Sequence, residues 1–342
     1  MSEDRRALAV QRPDPEDWDQ FVRGQARAHL LQLSAWGALK SQFGWDAQIV
    51  ALTDGSGIVA GASVLLKNLP LGLGRMAYLP CGPYVADDWQ YARLWQAIRS
   101  ETGAAILKVE AGHFREHPAP DFAEMGFVPS PQSIQPNNTV QIDIEGDDAS
   151  ILQRMNQGTR RKIRKSLKSG IVYVPGSRED LADFNRLMQL TGERNDFGVH
   201  SSAYFERVFD LFIPEHGALL LAKHSDVPLG AIMIFALGSS AWYFYGASSR
   251  EKSRLYASYG LQWRAIQWAK ARGCRSYDMW GIPDHDYETL EAQFRQRSDG
   301  LWGVYGFKRG WGGQVCRAAG TWDLAFNPLV YAAYRMALKI SA

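Results

Sequence analysis

The sequence predicts an α+β protein made of two copies of one structural unit. Between residues 36 and 85, short apolar runs alternate with glycine or proline breaks, and a helix and a further strand follow them. The same order of elements recurs in the second half of the chain. With 342 residues the chain has about the length of two average domains, which is enough to bury a full apolar core.

The first copy begins with apolar runs of strand length. They lie at residues 47–52, 58–66 and 76–79. Short connections between such runs are typical of antiparallel strands. Apolar residues at helical spacing then predict a helix over residues 89–102, which ends before Gly103, a residue type favoured just after a helix. A strand over residues 105–110 follows it.

The second copy repeats this order. Its strands are predicted at residues 218–222, 231–237 and 241–246. A helix over residues 255–272 follows, ends before Gly273 and precedes a strand at residues 276–280. The turn-rich segment 130–138 separates the two copies and precedes a strand at residues 139–144.

The tail after Cys316 is too apolar to be free in solvent. Its large apolar side chains are Trp322, Phe326, Leu329, Tyr331 and Tyr334. We therefore expect the tail to pack back onto one of the two domains.

Composition and charge exclude several classes of protein. The formal net charge of +2 argues against a nucleic-acid binder that is basic over its whole surface. Cys81, Cys274 and Cys316 lie far apart without a CxxC pair, so neither a zinc knuckle nor a disulfide framework is predicted. The first residues carry charges of both signs, and the longest apolar runs are strand-sized, so we expect a cytoplasmic protein without stable membrane insertion.

A dense cationic segment extends from residue 154 to residue 168 and contains no acidic residue. Its basic residues are Arg154, Arg160, Arg161, Lys162, Arg164, Lys165 and Lys168. A helix here would bury Leu152, Met155, Ile163 and Leu167 on one face and expose most basic groups to solvent. Such a surface binds the phosphates of a polyanion through charge, not through base sequence. The alternative is a solvated face with no ligand.

Aromatic and glycine residues alternate from residue 300 to residue 313, around the dipeptide Phe307-Lys308. Glycine at this density allows backbone to approach backbone or ligand closely. A lysine held among aromatic rings can place a positive charge where the oxyanion of an acyl transfer develops. An ordinary strand and turn is the alternative interpretation.

Two motifs indicate what the protein does not bind. The order of elements is similar to that of GNAT acetyltransferases, whose pyrophosphate loop reads Q/R-x-x-G-x-G/A, but here the segment 254–259 carries Ala257 and Tyr259 at the two small-residue positions. A tyrosine there would block the close backbone approach to phosphate, so acetyl-CoA use is disfavoured. His113 and His117 match the H-x-x-E-H spacing, but prolines follow at once, so we predict no metal site. We predict no cofactor.

Several stretches in order along the chain resemble the Fem family of non-ribosomal peptidyltransferases, which build the interpeptide bridge of peptidoglycan from aminoacyl-tRNA. The matching stretches are QLSAW (32–36), GW (44–45), YLPCGP (78–83), QPNNT (135–139), the basic segment 156–170, YGAS (245–248), YDMWGIP (277–283) and FKRGWGG (307–313). The resemblance implies two tandem GNAT-like subdomains. The first would span residues 1–144, completed by 316–342, and the second residues 145–315.

The resemblance also implies roles for individual residues. The catalytic residues would be Lys308, Phe307 and Glu110. The precursor would be bound by Lys40, His200, Tyr204 and Tyr245. The tRNA would be bound by Arg160, Arg161, Lys162, Arg164 and Lys165. Lys40 corresponds to the family lysine that contacts the diphosphate of the precursor. Three positions depart from the family pattern. Cys81 and His200 stand where the family usually has arginine, and Glu110 stands where it usually has aspartate, near the acceptor amine. Histidine is charged only part of the time near neutral pH, which weakens diphosphate pairing at His200.

The implied activity is transfer of an amino acid from aminoacyl-tRNA to the side-chain amine of the stem peptide in a peptidoglycan precursor, by a monomer. Lys308 would stabilise the oxyanion, and Glu110 or the tRNA ribose hydroxyl would accept the proton. The amino acid stays open between glycine, alanine and serine. The acceptor is UDP-MurNAc-pentapeptide or a lipid-linked muropeptide, and the lack of an amphipathic anchor favours the soluble form. The alternatives are an acyl-CoA-dependent N-acyltransferase and a non-catalytic RNA-binding protein.

Overall fold

The structure, a computed structural model, describes residues 8–112, 114, 120–195 and 198–341. The strands are β1 (Ala9–Gln11), β2 (Asp46–Thr53), β3 (Ile58–Asn68), β4 (Arg75–Pro80), β5 (Tyr84–Val85), β6 (Ile106–Glu110), β7 (Val128–Pro129), β8 (Asn138–Asp143), β9 (Val172–Pro175), β10 (Gly217–His224), β11 (Val227–Leu237), β12 (Ser240–Ser248), β13 (Ser276–Ile282), β14 (Gln314–Arg317) and β15 (Thr321–Ala325).

The helices are α1 (Pro15–Arg23), α2 (Ser34–Lys40), α3 (Gln90–Thr102), α4 (Asp148–Arg154), α5 (Gln157–Leu167), α6 (Leu181–Asn195), α7 (Ser202–Phe212), α8 (Ala257–Ala271), α9 (Tyr287–Gln293), α10 (Trp302–Lys308) and α11 (Pro328–Ser341). Short 3₁₀ turns occur at Leu30–Gln32, Pro70–Gly72, Ser253–Leu255 and Arg309–Trp311. None of the helices in this described part of the chain is long and apolar enough to span a membrane.

The chain divides into two compact units. The first contains Met1–Gln135 and Ala318–Ala342, and the second contains Pro136–Arg317. The strand that the sequence predicted at residues 139–144 is β8, which pairs with β13 and β14 in the sheet of the second unit. The boundary therefore falls after Gln135 instead of residue 144, and the chain returns to the first unit at Ala318.

The sheet of the first unit has the strand order β1-β2-β3-β4-β6-β15-β7, and β5 pairs with β3. Strands β2, β3 and β4 are antiparallel neighbours, whereas β4 and β6 are parallel because α3 connects β5 to β6 across one face of the sheet. Helix α3 ends at Gly103, whose backbone is left-handed (φ 61°), as the sequence predicted. It buries Leu94, Trp95 and Ile98 against the sheet.

The sheet of the second unit repeats this topology. Its order is β14-β8-β13-β12-β11-β10-β9, with β10, β11 and β12 antiparallel and β12 parallel to β13 after α8. The predicted repeat of strands, helix and strand is therefore present in both units. The apolar residues of α8 are buried with those of β11 and β13 in the core of this unit.

The C-terminal segment completes the sheet of the first unit, because β15 pairs with β6. A fully buried ion pair reinforces this pairing: Lys108 Nζ on β6 lies 2.8 Å from Asp323 Oδ1 on β15. Lys108 also donates to Gln132 O (3.0 Å) and to Ser130 Oγ. A buried charge needs such partners, because an unpaired one would be strongly destabilising.

Three local predictions differ from the structure. The tail packs on the first unit through buried Tyr331 and Tyr334, but Leu329 is 83% exposed. The basic segment forms two helices instead of one, because Asn156 caps α5 by accepting a hydrogen bond from Thr159 N (2.7 Å). Leu167, expected on the buried stripe, is exposed at the end of α5.

Candidate functional site

Lys308 is buried at the end of α10, with 6% of its surface exposed. Its Nζ donates to the backbone oxygens of Trp280 (3.1 Å) and Gly281 (2.7 Å) near the end of β13. Burial lowers its pKa to about 7, and the negative charge of Asp278 opposes that shift. The lysine is therefore an ammonium group poised near neutral pH within the second unit.

The glycines around Lys308 allow close backbone packing. Gly310 O accepts a hydrogen bond from Asn156 N (3.1 Å), and a Cβ at Gly310 would lie 2.5 Å from Thr159 Oγ1. Gly312 has a positive φ (77°), and a Cβ there would lie 2.3 Å from Arg154 O. The glycine-rich run, in which the sequence predicted close backbone approach, forms helix α10 and a 3₁₀ turn. These two elements contact the first turn of α5.

The five basic residues predicted to bind tRNA divide into two groups on α5. Arg160 and Lys162 are half-buried and have internal partners: Arg160 donates to Met155 O (2.7 Å) and Lys162 to Tyr259 Oη (2.9 Å). Arg161, Arg164 and Lys165 are exposed. Across the described ranges, no ion pair joins any of the five to a carboxylate. Among the residues that the structure describes, the positive charge of the exposed face is therefore not compensated by ion pairing.

Tyr259 covers the first turn of α8, where a GNAT enzyme would hold a pyrophosphate. Its ring stacks on Trp311 (centroids 5.9 Å apart) and meets Phe307 edge-on (5.0 Å). Lys162 Nζ lies 4.6 Å from the centroid of the same ring. This aromatic and cationic cover lies at the N-terminal end of α8, the end of a helix at which backbone amides can bind a phosphate.

His200, Tyr204 and Tyr245 come together in the second unit, although Tyr204 and Tyr245 are 41 positions apart in the sequence. The His200 ring stacks on Tyr204 with centroids 3.9 Å apart, and the Tyr204 and Tyr245 hydroxyls lie 3.1 Å apart. Burial raises the pKa of Tyr204 to about 12, and it also raises that of Tyr245. Both phenols therefore act as neutral hydrogen-bonding groups.

Lys40 lies at the end of α2 in the first unit, half-buried, with its Nζ 4.9 Å from the ring centroid of Trp36. Burial and then the charge of Lys67 lower its pKa to about 8. Lys67, exposed on β3, has its Nζ 4.9 Å from the ring centroid of Trp45. Two ammonium groups that repel one another in this way favour a shared anionic ligand.

Glu110 is buried at the end of β6 and accepts hydrogen bonds from four groups. The donors are Tyr78 Oη, Ile134 N (2.6 Å), Gln135 N (3.2 Å) and Thr321 Oγ1 (3.2 Å). Burial raises its pKa, and these donors oppose the shift. The carboxylate thus anchors the last residues before the second unit. The Trp45 ring lies 5.8 Å from that of Tyr78 and so connects the Lys67 region to Glu110.

Sequence reasoning missed Lys67 and Asp278 as site residues. Lys67 is adjacent to β4 only through strand pairing, which the sequence does not display. Asp278 had a usable signal, since it is an acidic residue inside an otherwise apolar strand. His113 and His117 lie outside the described residues. Among the residues described, no group of three or more His, Cys, Asp or Glu could hold a metal ion.

Comparison with solved structures supports the repeated fold. The crystal structure of FemX superposes with a TM-score of 0.83 at 21% identity, covering 95% of this chain and 99% of that one. A tandem GNAT protein from the clavulanic acid biosynthesis pathway gives a TM-score of 0.54 at 12% identity, covering 94% of this chain and 99% of that one. The two sheets, each repeating one topology, define a protein with two tandem GNAT-like subdomains.

The chain belongs to the FemAB family, whose model matches residues 14–98, 126–225 and 221–339. The lipid II:glycine glycyltransferase of Staphylococcus saprophyticus is 26% identical over 395 aligned residues, covering 92% of both chains. That of Staphylococcus aureus strain NCTC 8325 is 24% identical over 404, again covering 92% of both. These relatives are transferases, and their similarity supports transferase activity for this chain.

Proposed function

We propose that this protein transfers an amino acid from an aminoacyl-tRNA to the side-chain amine of the stem peptide in a peptidoglycan precursor. One observation in the second unit of this FemAB family chain carries the proposal: the buried ammonium of Lys308 and the exposed cationic face of α5 are joined through Gly310 and Asn156. The cationic face supplies RNA affinity and the ammonium supplies charge stabilisation.

The chemical step forms one bond and breaks another. The amine nitrogen attacks the ester carbonyl carbon that joins the amino acid to the terminal ribose, and the carbon–oxygen bond to the ribose then breaks. The attacking amine, with an ordinary pKa of about 10.4, must lose two protons in the course of the reaction. One is lost before attack, and the second passes to the departing ribose oxygen, directly or by way of Glu110, so that the ribose leaves with a hydroxyl group.

For the acceptor we propose the lipid-linked muropeptide, because the relatives in the two staphylococci are lipid II:glycine glycyltransferases. Sequence reasoning alone had favoured the soluble precursor instead. The two acceptors share a diphosphate, which Lys40 and Lys67 would contact, and a sugar, which Tyr204 would contact. Tyr245 and His200 would contribute further precursor contacts.

The decisive experiment incubates the protein with a mixture of charged tRNAs and with either lipid II or UDP-MurNAc-pentapeptide, followed by mass spectrometry of the acceptor. We expect the mass of one amino acid residue to be added to lipid II. Addition to the UDP-linked precursor alone would reverse the acceptor proposal, and no addition to either would overturn the proposed function. The same spectra identify the amino acid.

Two other functions can be separated from this one. An acyl-CoA-dependent N-acyltransferase is disfavoured because Tyr259 covers the first turn of α8, and saturable binding of radioactive acetyl-CoA would support it. A non-catalytic RNA-binding protein would bind tRNA through α5 but add no amino acid to any amine, so the mass spectra also decide this alternative.

The Lys67→Ala substitution is expected to raise the KM for the diphosphate-containing acceptor about fivefold while kcat changes little, since one exposed charge contact is worth about 1 kcal/mol. Loss of the neighbouring charge should also raise the pKa of Lys40, so acceptor binding should persist to higher pH than in the wild type. KM measured between pH 6.5 and 9 tests both effects.

Arg12→Ala is the matched control, because Arg12 is an exposed cation of the same unit that pairs with Glu101 (2.9 Å). If the Lys67→Ala variant has the same KM as the wild type, and if its acceptor binding weakens at the same pH, the role of Lys67 is contradicted.

A further inference from the structure

We propose that Asp278 is a positioning residue that builds the binding position of the Lys308 ammonium group by fixing the backbone of Trp280. Its kinetic test rests on the proposed acyl transfer, whereas its spectroscopic test is independent of that function.

The first step of the argument is an irregularity in β13. Asp278 pairs with Gln141 of β8 and Gly281 pairs with Thr139, so three steps along β13 match two steps along β8. The extra residue is a bulge, a feature that re-aims backbone and side chains near functional sites. Within it, Trp280 has a φ of 63°, in the left-handed region that bulky residues rarely adopt.

Asp278 holds this conformation. Its Oδ1 accepts a hydrogen bond from Trp280 N (2.6 Å) and another from Thr139 Oγ1, and the residue is 4% exposed. A carboxylate that accepts from the amide two residues later stabilises a turn locally. The surrounding structure must maintain a rarely populated backbone conformation, and here the buried carboxylate supplies that constraint.

The bulge turns two successive carbonyl groups toward Lys308, whose Nζ donates to Trp280 O and Gly281 O. An ammonium group has three N–H donors. Two of them are directed to these carbonyls in the described structure, which fixes the side chain and leaves a third for a substrate oxygen. If the bulge relaxes, both acceptors move and the ammonium is no longer held in place.

Asp278 also acts through charge. Asp278 on β13 and Tyr243 on β12, whose ring centroid is 6.0 Å from Nζ, are the titratable side chains that the structure shows facing Lys308. The carboxylate raises the pKa of the lysine against the effect of burial, and burial raises the pKa of Asp278 itself to about 6. Above that pH the carboxylate is charged and helps to keep the lysine protonated.

Three variants separate geometry from charge. Asp278→Asn keeps an oxygen acceptor and loses the charge, whereas Asp278→Ala loses both. The double variant Asp278→Ala/Trp280→Gly also loses the carboxylate, but it introduces a glycine at position 280, which adopts a positive φ without strain. We expect kcat to fall about tenfold in the Asn variant and about 100-fold in the Ala variant, with little change in the KM for tRNA, because misplacing a reacting group by about 1 Å costs about 100-fold.

The rescue is the result that a merely structural role would not give. The double variant, compared with Trp280→Gly alone, should recover most of the loss caused by Asp278→Ala. Asp286→Asn is the matched control, since Asp286 is an exposed carboxylate that caps α9 in the same unit, and its kinetics should equal those of the wild type. Wild-type kinetics in both Asp278 variants would overturn the proposal.

Nuclear magnetic resonance of ¹³C-labelled lysine, with Lys308→Met to assign the signal, measures the pKa of Lys308 without any substrate. We expect a lower pKa in the Asp278→Asn variant, and an unchanged pKa would overturn the charge role even if the Ala variant fails to fold. Should the wild type transfer no amino acid while this pKa moves, the proposed function fails and the role of Asp278 in positioning Lys308 stands.

Discussion

Replacing Lys308 by alanine is expected to lower kcat by about 10²- to 10³-fold while the Kd for aminoacyl-tRNA stays within a factor of about two. Removing one oxyanion-stabilising donor from a buried site has an effect of about this size, because no water or other preorganised donor replaces it. Single-turnover transfer measured at saturating tRNA gives kcat, and filter binding gives the Kd. Unchanged turnover would remove Lys308 from the mechanism.

The pH dependence of the same step tests why a lysine stands here. The rate depends on the product of two fractions, the protonated Lys308 and the unprotonated attacking amine. Below about pH 7 the lysine is charged and the rate should rise about tenfold per pH unit with the free amine. Above about pH 7 the loss of the ammonium offsets that gain, so the profile should level.

Lys308→Arg is the matched control for this profile, because a guanidinium stays charged throughout the range. Whatever activity the arginine variant retains should keep rising with pH where that of the wild type has levelled. A wild-type profile that rises without a plateau to pH 9 would show that the charge of Lys308 does not support catalysis.

The fold was predictable because its signals are local. Strand-sized apolar runs, helical spacing and Gly103 after α3 are each consequences of nearby residues, and the repeated order revealed the two units. The boundary was misplaced because β8 reads as an ordinary strand, and only its pairing with β13 and β14 assigns it to the second sheet. Leu329 was predicted to be buried because apolar character alone does not show which face of α11 meets the core.

The site was predictable to a smaller extent, for a physical reason. Resemblance to a family pointed to Lys308, but the residues that set its pKa and hold its ammonium group lie on β13, and strand pairing at long range places them there. In the same way, the spacing of basic residues located α5 but could not show that Lys162 is bonded to Tyr259 whereas Arg161 is exposed.

Reversing the three exposed charges of α5 in one variant, Arg161→Glu/Arg164→Glu/Lys165→Glu, is expected to weaken tRNA binding about 10³-fold at low salt. Each phosphate contact contributes about 0.7 to 0.9 to the slope of log K against log salt, so loss of three contacts should reduce that slope by about two to three. Because these side chains have no internal ion-pair partner in the described structure, the change should leave the thermal unfolding midpoint nearly constant. Titration of tRNA binding at several salt concentrations measures both quantities.

The control must carry the same change in charge on the same unit but away from α5. Arg178, Arg186 and Arg275 serve this purpose, because each is exposed and each lies near a carboxylate, as Arg178 does near Asp210 (3.3 Å). If net charge alone governed affinity, both triple variants would lose binding equally. If α5 is the docking face, the control keeps most of the wild-type salt slope, and Lys308→Ala, which removes no surface charge, keeps all of it. Equal loss in both triple variants would therefore contradict a localised RNA site.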